Sequence, residues 1–274
     1  MYNAFYGFQE PPFNITPDPR FLFFSERHRE AFNHILYGIR ERKGFIQVTG
    51  EVGAGKTTIC RAILEQLDPG TKTALILNPV LSGSQLLRAI VAELGLKPER
   101  PDRISCLEAL NRFLLEQLSE GHDVVLLIDE AQDLDVELLE QVRLLSNLET
   151  DQRKLLQIVL IGQPELRDKL NDKQLRQLRQ RITVRFHLTS LSREETHHYI
   201  RHRLHVAGGP QANGGLPEFD RWALWRIHRY SKGIPRLINA VCDKALLCGY
   251  VLGTNRLGGD HVRRAIRELE GKTG

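Results

Sequence analysis

Short apolar runs and longer amphipathic stretches alternate along the first two thirds of the chain. The apolar runs predict strands at residues 45–49, 73–77, 124–128, 156–161 and 183–188. The central runs are continuously apolar, which is typical of parallel strands covered by helices on both faces. Between them, helical periodicity predicts helices over residues 57–67, 83–94, 105–119 and 136–148. The pattern therefore predicts a parallel α/β domain.

The pattern changes near residue 190, where the strand signals stop. Helices are predicted over residues 192–206, 220–232, 235–252 and 259–269, with a Gly- and Pro-rich loop at 207–218. We therefore expect two domains, an α/β domain over residues 1–190 and a small all-helical domain over residues 191–274.

Composition narrows the class of protein. The 274 residues are 41% hydrophobic and 26% charged, which is ordinary for a folded chain with a substantial core. Four scattered cysteines are too few for a disulfide framework and indicate a reducing compartment. The longest aliphatic run, residues 124–128, is far shorter than the roughly 20 residues that span a bilayer. The opening residues lack the regions of a signal peptide. We expect a cytoplasmic chain that does not itself span a membrane.

Charge is distributed unevenly around a net value of +4. Residues 1–189 hold 24 basic and 26 acidic residues, whereas residues 190–274 hold 14 basic and 8 acidic residues. A basic C-terminal third can bind the phosphates of DNA, but a solvated helix surface gives the same count. Both interpretations stay open on the sequence.

The first predicted strand leads into a segment that fits the phosphate-binding motif G-x-x-x-x-G-K-[ST]. It reads Gly50-Glu51-Val52-Gly53-Ala54-Gly55-Lys56-Thr57-Thr58 and opens a predicted helix. Glycines let the backbone wrap a phosphate, while successive N–H groups and the helix N-terminus face the anion. Lys56 is expected to reach the β- and γ-phosphate oxygens, and Thr57 to ligate Mg²⁺. The segment predicts a P-loop that binds ATP with Mg²⁺.

An acidic pair, Asp129-Glu130, follows the third predicted strand. Parallel sheets bind ligands at the carboxyl ends of their strands, so Asp129 is placed to hold Mg²⁺, usually through water. Glu130 lies one residue further and can polarise the attacking water as a general base. One strand separates this pair from the P-loop strand along the chain, and an all-helical domain follows the core. These features indicate an AAA+ P-loop NTPase with strand order 5-1-4-3-2.

That strand order places the end of the fourth strand between the P-loop and the acidic pair. Gln163, in the sequence Gly162-Gln163-Pro164-Glu165, is therefore predicted to act as sensor 1 beside the γ-phosphate. A polar turn that caps a helix is the alternative interpretation. Gly233-Ile234-Pro235-Arg236 is predicted to start a helix that directs Arg236 at the γ-phosphate as sensor 2.

Three arginines precede the fifth strand, where AAA+ proteins carry the arginine finger that completes a neighbour's site. A planar, permanently charged guanidinium suits that task. The candidates are Arg176, Arg179 and Arg181; we favour Arg181 and then Arg179. A solvated basic helix end is a serious alternative for each of them.

Taken together, these motifs resemble the cytoplasmic AAA+ domain of ExeA-type general secretion pathway protein A, from residue 1 to about residue 268. The opening segment is the specific part of the resemblance. The matching stretches are Phe5-Tyr6-Gly7-Phe8, Pro12-Phe13, Thr16-Pro17-Asp18-Pro19-Arg20-Phe21, His28-Arg29-Glu30-Ala31, Leu36-Tyr37-Gly38-Ile39, Thr49-Gly50-Glu51-Val52-Gly53, Asp129-Glu130-Ala131-Gln132, Ile161-Gly162-Gln163-Pro164-Glu165-Leu166 and Gln180-Arg181-Ile182.

The resemblance implies that the opening segment packs beside the adenine. It also implies an ATPase that assists assembly of the secretin ring, with the roles given above for Lys56, Thr57, Asp129, Glu130, Gln163, Arg181 and Arg236. Secretion members continue into a transmembrane helix and a periplasmic peptidoglycan-binding domain. This sequence ends at Gly274, so we expect a part of a longer protein, held at the inner membrane by that part or a partner, or a free-standing relative.

We therefore expect an ATP hydrolase that forms a homo-oligomer when ATP is bound. It should hydrolyse ATP slowly as a single subunit and faster when assembled. Its expected partner is a protein of type II secretion or envelope assembly. The alternative is a DNA-binding AAA+ regulator of transposition or target selection, because related ATPases select targets on DNA.

Overall fold

The structure is a computed structural model that describes residues 1–14, 18–77, 79, 82–150, 153–208 and 216–272. Thr16 and Pro17 of the opening motif and residues 209–215 of the predicted loop lie outside this range. The strands are β1 (Phe45–Gly50), β2 (Lys72–Ile76), β3 (Val124–Ile128), β4 (Gln157–Gly162), β5 (Ile182–Leu188), β6 (Glu218–Phe219) and β7 (Arg256–Leu257). The helices are α1 (Tyr2–Tyr6), α2 (Glu26–Arg40), α3 (Lys56–Gln66), α4 (Gly83–Glu93), α5 (Arg103–Ser119), α6 (Val136–Leu145), α7 (Pro164–Leu170), α8 (Arg176–Arg181), α9 (Arg193–Gly208), α10 (Arg221–Ser231), α11 (Pro235–Val251) and α12 (Gly259–Leu269).

The chain packs as two compact units, each with a hydrophobic core of its own. The sheet unit comprises Arg27–Gly50 and Ile59–Leu188, and the helical unit comprises Met1–Glu26, Glu51–Thr58 and Thr189–Gly274. The opening segment and the P-loop thus group with the C-terminal helices. The predicted boundary near residue 190, with an α/β domain before it and a helical domain after it, stays a prediction.

A five-stranded parallel sheet with the order β2-β3-β4-β1-β5 forms the centre of the sheet unit. This confirms the predicted order 5-1-4-3-2. Every residue of β1, β3 and β4 is buried, as the continuous apolar runs predict for strands covered on both faces. The edge strand β5 instead alternates between buried and exposed residues, because one side of it faces solvent.

The five predicted strands match the observed ones within one residue at each end, and all eight predicted helices are present. Helix α6 is shorter than predicted, ending at Leu145, because the chain turns at Ser146 towards the bridge between Glu149 and Lys154. The sequence patterns did not predict α1, α2, α7 or α8. They also did not predict the pairing of β6 with β7, which is only two residues long on each strand and carries almost no periodic signal.

The opening segment packs into the core of the helical unit. Its buried aromatic residues Tyr6, Phe8, Phe13 and Phe21 join a cluster with side chains of α9, α10, α11 and α12. The Tyr6 hydroxyl donates to the carbonyls of Leu246 and Thr254, at 3.0 and 3.2 Å. Burial raises the pKa of Tyr6 to about 12, so the phenol keeps its proton and continues to donate even in moderately alkaline solution.

A buried arginine fixes the backbone of the same segment. Arg203 on α9 is 6% exposed, and its guanidinium donates to the carbonyls of Pro12 (2.6 Å) and Asn14 (3.0 Å). It also donates to the Tyr199 hydroxyl at 2.9 Å and lies 4.6 Å from the centre of the Phe21 ring. One side chain therefore binds the buried Pro12 carbonyl and the partly buried Asn14 carbonyl.

Replacing Arg203 by methionine should destabilise the chain by about 2–4 kcal/mol, because the Pro12 and Tyr199 oxygens stay buried without their charged donor. Urea unfolding of the variant measures the loss. Arg201→Met is the matched control, since Arg201 is exposed on the same helix and should change stability by less than about 0.5 kcal/mol. Equal stability of the two variants would show that Arg203 does not hold the opening segment.

No helix among the described residues combines the length and the apolar character that a membrane span requires.

Candidate nucleotide site

The P-loop has the backbone conformation that its glycines permit. Gly53 and Gly55 have φ values of +79° and +98°, in the region that residues with a Cβ avoid. The N–H of Ala54 donates to the Glu51 carbonyl at 3.1 Å, which closes the turn, and α3 begins directly after it at Lys56. The loop thus combines a tight glycine turn with a helix N-terminus, a combination that is typical of phosphate-binding loops.

Lys56 is buried, and its ammonium group donates to the Glu51 carbonyl at 3.1 Å. This bond holds the side chain over its own loop. Thr57 and Thr58 are half-buried on the first turn of α3, whereas Glu51 and Val52 are exposed. That Lys56 and the loop bind the phosphates of ATP stays a prediction.

The structure brings the P-loop together with Arg236 inside the helical unit. Helix α11 begins at Pro235, and the N–H of Arg236, which has no partner within the helix, donates to the Gly53 carbonyl at 3.3 Å. A Cβ on Gly53 would lie 2.5 Å from the Cβ of Arg236, so only glycine fits this approach. The side chain predicted as sensor 2 thus starts beside the phosphate-binding loop.

The acidic pair and Gln163 lie at the carboxyl edge of the sheet unit. β1 ends at Gly50, the first P-loop residue, and its Thr49 pairs with Gly162 on β4. Gln163 therefore follows the sheet at the level of Gly50. Asp129 follows β3, is 3% exposed, and donates its N–H to the Ile76 carbonyl at 2.8 Å.

Glu130 has a strained backbone and an anchored carboxylate. Its φ of 50° is left-handed, which costs a residue with a side chain on the order of 1 kcal/mol and occurs often at functional sites. Its N–H donates to the Asp129 carboxylate at 2.9 Å. Its Oε2 accepts the Gln163 side-chain amide at 3.3 Å, so the residue predicted as sensor 1 contacts the predicted general base.

A second amide, that of Gln132, also binds Glu130 at 2.8 Å. In the sequence this glutamine belongs to the stretch Asp129-Glu130-Ala131-Gln132, which predicts no role for it. The available signal was its position, two residues after the acidic pair in a short turn.

The three candidate finger arginines differ in their surroundings. Arg181 is half-buried, and its Nη1 donates to the Ser146 hydroxyl at 2.6 Å. Arg179 donates to the Asn171 side chain at a long 3.4 Å, and Arg176 is exposed. Which one serves as the finger stays a prediction, with Arg181 favoured.

Comparison with known proteins shows which proteins this chain is similar to. The family model for the AAA domain matches residues 39–170. General secretion pathway protein A of Aeromonas hydrophila is 48% identical over 272 residues, which cover 99% of this chain and 49% of that protein. The resemblance to general secretion pathway protein A is confirmed. The chain spans about half the length of this relative.

Solved structures share the fold at low sequence identity. The ORC2 protein of Aeropyrum pernix has a TM-score of 0.69 at 18% identity, covering 95% of this chain and 72% of that one. A Drosophila ORC structure bound to DNA has a TM-score of 0.67 at 18% identity, covering 94% and 64%. The RuvB branch migration motor of Thermotoga maritima has a TM-score of 0.58 at 19% identity, covering 90% and 70%. The chain therefore has the AAA+ P-loop fold.

Both predicted Mg²⁺ ligands carry suitable donor atoms. Thr57 offers a hydroxyl and Asp129 a buried carboxylate, and both are hard oxygen ligands of the kind that this ion prefers. When bound, Mg²⁺ would neutralise charge that develops on the phosphate oxygens during hydrolysis.

Proposed function

We propose that this chain binds Mg²⁺-ATP and hydrolyses it. The single observation that carries the proposal is the carboxyl edge of the sheet, where Gly50 opens the P-loop and Asp129 and Glu130 follow β3. Lys56 and the loop N–H groups would hold the phosphates, and Thr57 and Asp129 would hold Mg²⁺. Glu130 would accept the proton of the attacking water, while Gln163 and Arg236 would orient the γ-phosphate.

We further propose that ATP drives formation of a homo-oligomer that assembles or remodels a protein complex in type II secretion or a related envelope system. The support is the relative at 48% identity, named a general secretion pathway protein. The chain would act in the cytoplasm, or at the inner membrane through a partner or a longer form of the protein.

The test is ATP turnover per subunit, measured across a wide range of chain concentrations. Turnover should rise with concentration, because a finger arginine completes a neighbour's site and a lone subunit lacks one. If turnover per subunit requires Mg²⁺ but does not change with concentration, the chain hydrolyses ATP without an arginine from a neighbouring subunit. Absence of turnover at all concentrations would contradict the proposal itself.

For Arg181→Ala we predict normal ATP affinity and at least about tenfold slower hydrolysis. Ser146→Ala is the matched control, because it removes the same internal hydrogen bond and leaves the guanidinium in place. Mixing Arg181→Ala with Glu130→Gln subunits should restore part of the activity, since some interfaces then combine an intact arginine with an intact glutamate. Full activity of Arg181→Ala alone would transfer the role to Arg179 or Arg176.

A DNA-directed function is the second candidate, supported by the surface of α10. Trp222 is 69% exposed, and the Arg229 guanidinium lies 5.0 Å from the centre of the Trp225 ring. Exposed aromatic and arginine side chains together are suited to bases and phosphates. Anisotropy of a labelled random-sequence duplex, with Mg²⁺ and a non-hydrolysable ATP analogue, separates the two candidates. Nucleotide-dependent binding that weakens steeply with salt would favour DNA, and no binding would favour the secretion role.

A further inference from the structure

We propose that Gln132 is a positioning residue for Glu130, holding the carboxylate in the orientation that accepts a proton from the attacking water. This inference rests on the proposed ATP hydrolysis and adds a residue to it. All of the contacts described below join residues of the sheet unit.

The Gln132 amide bridges the ends of two strands. Its Nε2 donates to Glu130 Oε2 at 2.8 Å, and its Oε1 accepts the backbone N–H of Gln163 at 2.9 Å. Glu130 follows β3 and Gln163 follows β4, so the amide links the predicted general base to the neighbouring strand. Both polar ends of Gln132 are used, which fixes the orientation of its side chain.

Only one carboxylate oxygen of Glu130 accepts hydrogen bonds from these amides. Oε2 accepts the amides of both Gln132 and Gln163, at 2.8 and 3.3 Å. The other oxygen, Oε1, accepts no hydrogen bond from any residue that the structure describes. Anchoring one oxygen leaves the other available for water in a restricted set of directions.

The turn that carries Gln132 is itself held in place. Residues Ala131–Asp133 form a tight helical turn directly after the left-handed Glu130. Lys169 on α7 donates its ammonium group to the carbonyls of Gln132 and Leu134. Ala131 and Leu134 are fully buried beneath the turn. The backbone from which Gln132 projects is thus fixed on both its polar and its apolar side.

The absence of a side chain at Gly162 leaves room for the Gln132 amide. A Cβ on Gly162 would lie 2.8 Å from Gln132 Oε1 and 2.9 Å from Leu166 Cδ2. A larger residue at the end of β4 would therefore displace the amide or Leu166. Glycine at this position makes room for the bridge between the two strands.

This arrangement bears directly on the hydrolytic step. The water oxygen forms a bond to the γ-phosphorus while the bond from phosphorus to the bridging oxygen of ADP breaks, and the water proton passes to Glu130. Rate depends on holding the accepting oxygen within hydrogen-bond reach of that water. Gln132 acts through Glu130 and is therefore a positioning residue.

The test is the hydrolysis rate of Gln132→Met, which keeps the length of the side chain and removes both hydrogen bonds. We expect kcat to fall about 10- to 100-fold, the range found when a partner that orients a catalytic group is lost. ATP affinity should stay within about twofold of the wild-type value, because the role is to orient the base. Gln132→Glu keeps the acceptor for the Gln163 N–H but places an oxygen against Glu130, and should lower kcat at least as far.

A double-mutant cycle separates positioning from a general structural effect. In a Glu130→Gln background, Gln132→Met should cause no further loss in single-turnover hydrolysis, because the group through which it acts is already gone. Gln117→Met is the matched control. Gln117 also donates its amide to a glutamate, Glu120, at 3.2 Å, but on α5, and its loss should leave kcat unchanged.

Different results would contradict the positioning role of Gln132 and the proposed ATP hydrolysis. Wild-type kcat in Gln132→Met, or a full additional loss in the Glu130→Gln background, would overturn the positioning role and leave the hydrolase intact. If the wild-type chain hydrolyses ATP no faster than the Lys56→Ala variant, the proposed ATP hydrolysis itself is contradicted. If Gln132→Met does not fold, as judged by circular dichroism, the isosteric Gln132→Glu decides in its place.

Discussion

Replacing Lys56 by alanine should weaken ATP binding about 10- to 100-fold, the effect of losing charge-assisted hydrogen bonds to phosphate. Because the same ammonium group would also stabilise charge that develops during transfer, kcat/KM should fall further, by about 1,000-fold or more. Lys56 is buried over its own loop, where its ammonium group contacts the Glu51 carbonyl. Titration calorimetry with ATP and Mg²⁺ measures the affinity.

The control for this variant is Lys72→Ala, which removes an exposed lysine at the start of β2. It should bind ATP as the wild-type chain does. A Lys56→Ala chain that folds normally and binds ATP with unchanged affinity would contradict the assignment of residues 50–58 as a phosphate-binding loop.

Replacing Glu130 by glutamine should separate binding from hydrolysis. The side chain keeps its size, so ATP and Mg²⁺ should bind with near-normal affinity. An amide cannot accept the water proton as a carboxylate does, so kcat should fall about 1,000-fold. Nucleotide affinity by calorimetry and phosphate release together test this prediction.

Glu137→Gln is the matched control, since Glu137 is exposed on α6 and has the same charge and length. It should hydrolyse ATP at the wild-type rate. Retained turnover in Glu130→Gln would show that another group activates the water, and the role of Gln132 would then lose its basis as well.

The sheet was predictable because its physical causes are local and strong. Continuous apolar runs as short as residues 124–128 favour a buried strand covered on both faces, and their length argues against a helix. The strand order was predicted from the motifs. One strand lies between the P-loop strand and the acidic pair along the chain, which is typical of P-loop NTPases that have an additional strand in the sheet. The sheet confirms that order.

The opening segment shows where a single sequence gives too little information. Residues 1–26 are rich in aromatic side chains but lack a periodic pattern. The packing of the described part of this segment against α9–α12 depends on partners far away along the chain, such as Arg203 for Pro12. Arg203 looks like any other basic residue of a solvated helix, with Arg201 and His205 close by. Burial of its guanidinium is a tertiary effect that the local pattern does not encode.

The site residues divide in the same way. The P-loop was identified because its glycines, lysine and threonine are required at fixed spacing by phosphate geometry. Gln132 was not, since a glutamine after an acidic pair has no fixed meaning until the register of β3 against β4 is known. That register places the end of β4 within reach of the turn after Glu130, and the amide bridge follows from it.

ATP hydrolysis is tested most simply by phosphate release from ATP by the purified chain, measured with Mg²⁺ and with excess EDTA, beside Lys56→Ala and Glu130→Gln. We predict release that requires Mg²⁺ and that both variants lose, with ATP binding retained only in Glu130→Gln. Release that is absent from the wild-type chain at all concentrations, or that persists equally in both variants, would contradict this prediction.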